Sequence, residues 1–352
     1  MKKLQLNDKL TVVSLSSGAL GEPFCAHQYA LGIKRIKKLG LRPNFSNSCL
    51  KGIDFIKNNP NERAKDLIES FLDTDTKIIL SAIGGDDTYK TIGYILDNQN
   101  HINAIKNNPK IFLGYSDSSI NHLMLNKIGI TSYYGLSFLT CIAELDAKML
   151  DYSLKSFNNL FTDKDWIYQP SNVWYEERTN FSPTELNTSR IMHQEQNGWI
   201  KIQGDDYLEG YLYGGCIESL YELVSGSRYL EKKQVNLKYQ LLDNIALKEN
   251  KIIFLETSES KSNPDYLKLM LIALKEQGLF NNASGIIIGK PQNEVYFDEY
   301  IKIYQEVFCD SNLTIYYNFN FGHSYPKMIL PYGNKAFIDI KKQEMIIKNN
   351  LK

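Results

Sequence analysis

The segment Gly114-Tyr115-Ser116-Asp117 follows the apolar run Ile111-Phe112-Leu113 and precedes a helical pattern over residues 118–127. A strand that ends in a sharp turn and feeds a helix presents its turn residue at the carboxyl edge of a sheet, beside helix-end N–H groups. Ser116 in that place is a candidate nucleophile, in a turn like the nucleophile elbow without its second glycine. A Ser-Asp pair before a helix also reads as a plain N-cap, so the turn alone leaves two meanings open.

A serine nucleophile needs a base within hydrogen-bond reach and a carboxylate to orient that base. The chain has five histidines. His27 and His101 fall near helix starts or in polar loops, and His193 falls in a long irregular stretch. His122 follows Ser116 on the same helix, placed too rigidly to face back to the turn. His323 ends a strand-like run in Phe321-Gly322-His323-Ser324-Tyr325-Pro326, a tight strand-to-loop exit where site residues commonly stand. For the carboxylate, the apolar run Ile252-Ile253-Phe254-Leu255 ends directly in Glu256. A half-buried glutamate there requires a partner, because burying an unpaired carboxylate costs several kcal/mol. Glu259 is the less buried and weaker candidate. The pair Gly84-Gly85, followed by Asp86-Asp87-Thr88, exposes backbone N–H groups beside a helix start and suits an oxyanion or a phosphate. The same five residues are similar to the phosphate loop of phosphofructokinase-like kinases, a rival reading from another enzyme class.

Five motifs in order carry a wider resemblance: Gly84-Gly85-Asp86-Asp87, Asn108-Pro109-Lys110, Gly114-Tyr115-Ser116-Asp117, Leu255-Glu256-Thr257-Ser258-Glu259 and Gly322-His323. Together they resemble serine peptidase family S66, which contains the murein LD-carboxypeptidases and the microcin C immunity peptidases. The resemblance spans nearly the whole chain. It implies a Ser-Glu-His triad falling on Ser116, Glu256 and His323, and an oxyanion hole from the backbone N–H groups of Gly85 and Asp117. It also implies a homodimer, and a flavodoxin-like parallel-sheet α/β domain followed by a strand-rich α+β domain. Gly-Gly-Asp-Asp-Thr, Thr-Ser-Glu and Val173-Trp174-Tyr175-Glu176-Glu177 are most similar to the microcin C immunity branch, which makes Trp174 and Glu177 candidate substrate contacts. Two departures stand out: Gly214-Gly215-Cys216 where Gly-Gly-Asn is common, and Asn180-Phe181-Ser182 where a further tryptophan is common.

The elements that must position these residues alternate in the first half. Strands are expected at residues 10–15, 77–83, 111–113 and 130–134, and helices at 26–39 and 61–72 and after the glycine pair, an order that implies a parallel sheet covered on both faces. Over residues 166–204 the pattern dissolves into a long loop with interspersed tryptophans, a length that usually signals function. Beyond it come a glycine turn into a helix at 211–224, strands at 252–255, 285–289 and 314–321, a helix capped by Asn263-Pro264, and a closing pair at 336–340 and 345–347. The expected domains are 1–165 with the nucleophile, 166–204 as substrate loop, and 205–352 with Glu256 and His323.

Composition bounds the partners. Of 352 residues, 40 are Lys or Arg and 40 are Asp or Glu, and with no basic stripe a nucleic-acid partner is not expected. No apolar run approaches the ~18 residues of a membrane span. The five widely spaced cysteines indicate a reducing compartment, and a cytoplasmic location is expected. No metal motif or cofactor motif is present. The reading is a cytoplasmic, metal-independent serine peptidase cleaving an amide bond in a peptidyl- or aminoacyl-nucleotide, with murein tetrapeptide hydrolysis in cell-wall recycling as the alternative and a phosphotransferase less favoured.

Overall fold

The alternation of apolar runs and amphipathic stripes in the first half becomes alternating strands and helices in the computed structural model, which describes residues 1–242 and 250–352. Two compact units emerge. One comprises residues 1–163, 178–189 and 350–352, and the other residues 164–177 and 190–349.

In the first unit the strands are β1 (Lys9–Val13), β2 (Arg42–Phe45), β3 (Thr76–Ser81), β4 (Ile111–Gly114) and β5 (Tyr133–Tyr134). They pair in parallel in the order β5-β4-β3-β1-β2. The helices are α1 (Ala26–Lys38), α2 (Gly52–Asn58), α3 (Pro60–Leu72), α4 (Ile92–Leu96), α5 (Gln99–Asn107), α6 (Ser119–Lys127) and α7 (Asp151–Asn158). The central strands are buried along their length, as a parallel sheet covered by helices requires. The strand expected at 130–134 shrinks to two residues.

The second unit holds β6 (Trp166–Tyr168), β7 (Val173–Tyr175), β8 (Met192–Gln194), β9 (Ile200–Gln203), β10 (Tyr207–Cys216), β11 (Lys251–Glu256), β12 (Ala283–Gly289), β13 (Thr314–Phe319), β14 (Leu330–Pro331), β15 (Lys335–Asp339) and β16 (Glu344–Ile347). Its helices are α8 (Ile217–Ser225), α9 (Leu230–Tyr239), α10 (Pro264–Glu276) and α11 (Phe297–Phe308). Eight strands form one mixed sheet in the order β6-β16-β15-β10-β11-β12-β13-β9. Its middle, β10 to β13, is parallel. Asn263 caps α10 as expected, its side chain accepting the Tyr266 N–H.

Two expectations fail here. Residues 166–204 are not one irregular loop, since they carry four short strands, two of them pairing with each other as a hairpin. Residues 211–216 are not a glycine turn but the second half of the ten-residue β10. A Cβ on Gly214 would lie 1.8 Å from the Phe254 carbonyl oxygen, so the glycine admits the neighbouring backbone instead of turning the chain.

Candidate active site

In the first unit β4 runs through Gly114 into the turn, and Ser116 adopts φ of 64°. A non-glycine residue in that region is strained, and the strain lifts the half-buried Ser116 side chain off the strand path. The Ser116 N–H donates to the Tyr134 hydroxyl at 3.2 Å, and its carbonyl accepts from Ser119 Oγ at 2.7 Å. The chain passes through one 3₁₀ turn, Ser116–Ser118, before α6. Gly84 lies against the serine: a Cβ there would come within 2.8 Å of Ser116 Cβ and 2.9 Å of its Oγ. Only a bare backbone approaches that closely.

Asp117 ties this turn to the glycine loop. Its Oδ2 accepts from Ser16 Oγ at 2.7 Å and from the Thr88 N–H at 2.9 Å. The Asp87 N–H donates to Ser16 Oγ, and the Asp87 carboxylate meets the fully buried Arg63 at 2.6 Å. The N–H groups of Asp87 and Thr88 are therefore already engaged, the second by a carboxylate, which argues against a phosphate cradle at the kinase-like motif. His122 is buried in this unit's core, with Nδ1 2.7 Å from Ser132 Oγ and Nε2 3.0 Å from the Gly114 carbonyl. Burial drives its pKa down to about 3, so it stays neutral.

In the second unit the carboxyl ends of adjacent parallel strands gather a second cluster, where such sheets place ligands. Cys216 at the end of β10 pairs in register with Glu256 at the end of β11. The Glu256 side chain is fully buried, and its Oε2 accepts from His323 Nδ1 at 2.7 Å and from the His323 backbone N–H at 3.1 Å. A Cβ on Gly322, whose φ is 90°, would stand 2.5 Å from that carboxylate oxygen. The glycine before His323 thus makes room for the partner of His323. The buried Lys327 ammonium holds the same loop, donating to the carbonyls of Gly322 and Ser324 at 2.6 and 2.8 Å. Burial pushes the His323 pKa down, but the charge and hydrogen bond of Glu256, with help from Glu259, outweigh it and raise it to about 10.

Glu259, the candidate ranked second on sequence, also reaches His323: its Oε2 lies 2.9 Å from Nε2. Sequence reasoning also missed Glu218, which accepts from Cys216 Sγ at 3.3 Å and from the Ser258 N–H at 3.0 Å. Burial, reinforced by Glu256, raises its pKa. The only sequence signal was its position two residues past Cys216, at the start of α8.

Trp174 and Glu177 are also in the second unit. Trp174 is 8 % exposed, and its ring stacks on His193 at 4.2 Å between centroids. Burying a large indole in a two-strand hairpin gives that hairpin its core. Glu177 pairs with Lys261 at 2.8 Å.

One unit thus presents a serine in a strained turn, and the other presents a histidine bonded to a buried carboxylate. The chain belongs to the LD-carboxypeptidase family S66, whose N-terminal domain matches residues 10–135 and whose C-terminal domain matches residues 209–338. A solved MccF-like protein from Streptococcus pneumoniae, in complex with AMP, is 45% identical and superposes with a TM-score of 0.92, covering 98% of this chain and 99% of its own. The microcin C7 self-immunity protein MccF of Escherichia coli is 22% identical over 96% of this chain and 92% of its own length. A probable murein peptide carboxypeptidase of Bacillus subtilis is 23% identical over 89% and 84%. No helix among the described residues is long and apolar enough to cross a membrane.

Proposed function

We propose that the chain hydrolyses an amide bond through an acyl-enzyme, with Ser116 as nucleophile, His323 as the base that takes its proton and returns it to the leaving amine, and Glu256 as the carboxylate that orients the imidazolium. The observation that carries this reading is the Glu256–His323 contact, in which one buried carboxylate accepts both the ring Nδ1–H and the backbone N–H of His323. The backbone N–H groups of Gly85 and Asp117 are assigned to the oxyanion. Working as a cytoplasmic homodimer is part of the same proposal.

The substrate class is a peptidyl- or aminoacyl-nucleotide. The AMP bound to the 45%-identical relative supports this, as does the self-immunity role in the name of the Escherichia coli relative. Trp174 and Glu177 contribute through the β7–β8 hairpin, Trp174 from its buried position and Glu177 beside Lys261. The murein-peptide name among the relatives supports the alternative of tetrapeptide cleavage.

The test compares kcat/KM for an aminoacyl sulfamoyl adenosine and for a murein tetrapeptide. The nucleotide is expected to be the better substrate, and Trp174→Ala is expected to raise its KM while leaving tetrapeptide turnover nearly unchanged. A preference for the tetrapeptide, indifferent to Trp174→Ala, would place the chain in cell-wall recycling.

A further inference from the structure

His323 carries a carboxylate on each ring nitrogen: Glu256 at Nδ1, 2.7 Å away, and Glu259 at Nε2, 2.9 Å away. Ionised carboxylates only accept hydrogen bonds, so both nitrogens donate and the ring is an imidazolium. A ring in that state has no lone pair with which to take the proton of a hydroxyl. The two carboxylates are built differently. Glu256 is fully buried at the end of β11, whereas the Glu259 side chain is 62% exposed. Glu259 sits at the tip of a tight turn closed by the Lys261 N–H on the Ser258 carbonyl at 3.1 Å. The stem of the turn is fixed, because the Ser258 N–H and the Ser262 hydroxyl both donate to the half-buried Glu218 at 3.0 Å, and Lys261 pairs with Glu177. Rotation of the Glu259 side chain alone takes this carboxylate off Nε2, a motion that exposed side chains make on the ps–ns timescale.

We propose that Glu259 is a displaceable carboxylate that occupies the proton-accepting nitrogen of His323, so that the enzyme is competent only when substrate entry or side-chain rotation removes it. This rests on the reading of His323 as the general base. Glu259 acts through His323 and is a positioning residue. Other titratable and charged groups belong to the same cluster, and one ligand atom each of Cys216, Glu256 and His323 lie within 4.8 Å of one another. Cys216 and Glu218 come from β10 and α8, with thiol and carboxyl both pushed toward their neutral forms by burial and by Glu256. Lys327 lies on the histidine's own loop, and Arg228 acts on Glu259. The hydrogen bond from His323 is the main cause that holds the Glu259 pKa down at about 2, so Glu259 remains a charged acceptor throughout the neutral range. Removing it lowers the ring's affinity for protons, and the acid limb of activity then moves to lower pH because more of the ring is neutral at a given pH.

The experiment follows the His323 ring by NMR titration and kcat/KM against pH in the same preparations of the full chain, its Glu259→Ala variant and its Glu259→Gln variant. In Glu259→Ala the ring's midpoint is expected to fall by about one pH unit or more, with kcat/KM at neutral pH rising about tenfold, since each unit changes the neutral fraction by that factor. Glu259→Gln, which keeps an acceptor without charge, is expected to fall between the two. An unchanged midpoint in both variants overturns the proposal, and so does a lowered midpoint with no gain in kcat/KM at neutral pH. A lowered midpoint in a chain that turns over neither substrate, before or after substitution, overturns the hydrolase reading and the gating role with it, while the carboxylate's hold on the ring stands.

Discussion

Ser116 is placed chiefly by backbone, its own turn and the facing Gly84, whereas His323 is placed chiefly by buried charged side chains. In the first unit the backbone does the work: a positive φ at Ser116 and a bare Gly84 beside it set the hydroxyl. In the second unit side chains do it: Glu256 from β11 holds the ring and Lys327 pins its loop. A site set by backbone strain tolerates changes in its neighbours' charge but not in their bulk. A site set by buried ions has the opposite sensitivity, since removing one partner leaves an uncompensated charge.

The largest expected effect tests whether the two halves act as one machine. Ser116→Ala and His323→Ala are each expected to reduce kcat by on the order of 10⁴-fold or more, and the double variant to lose little further, because members of a triad are strongly non-additive. Glu256→Gln is expected to lose about 10²-fold less than either, as the orienting carboxylate of a triad does. Multiplicative losses in the double variant, measured in single-turnover assays, would break the pairing of the two regions.

A smaller effect is expected from bulk at the charge-built end. Gly322→Ala puts a methyl group within 2.5 Å of the Glu256 carboxylate and requires a φ of 90°. A loss of roughly 1–3 kcal/mol in denaturant unfolding is expected, together with loss of the Glu256–His323 contact and of activity. Unchanged stability and activity would mean that the loop yields and that its register is not what holds the ring.

The smallest effect isolates the strain at the serine. Ser116→Gly relieves the positive φ, and Ser116→Ala keeps it. Both remove the hydroxyl. The glycine variant is expected to be about 1 kcal/mol more stable than the alanine variant, net of the extra chain entropy of glycine. A more stable alanine variant would remove strain as the device that lifts the side chain.

Much of this arrangement was legible in the chain. The apolar run ending in Gly114-Tyr115-Ser116-Asp117 marks its strand and turn because a parallel strand is apolar on both faces and stops abruptly. Glu256 declares itself as the first charge after such a run, and its need for a partner follows from desolvation alone. What was hidden depends on contacts that no local pattern carries. The glycines of β10 look like a turn, because the carbonyl that crowds Gly214 belongs to a strand forty residues later. Glu259 looks exposed and is exposed, yet its one contact with Nε2 comes from a residue 64 positions away. Nothing local marks what covers Trp174, because His193 arrives only when β7 and β8 pair.

Asp117 carries a consequence for motion. Its single carboxylate oxygen joins residue 16 after β1, residue 88 after β3 and its own turn after β4. The three loops at that edge of the first sheet therefore open together or not at all. The amide of Thr88, which donates to this oxygen, exchanges its hydrogen only when the whole edge lets go, so its protection reports the cooperative stability of the edge and not the fraying of one loop.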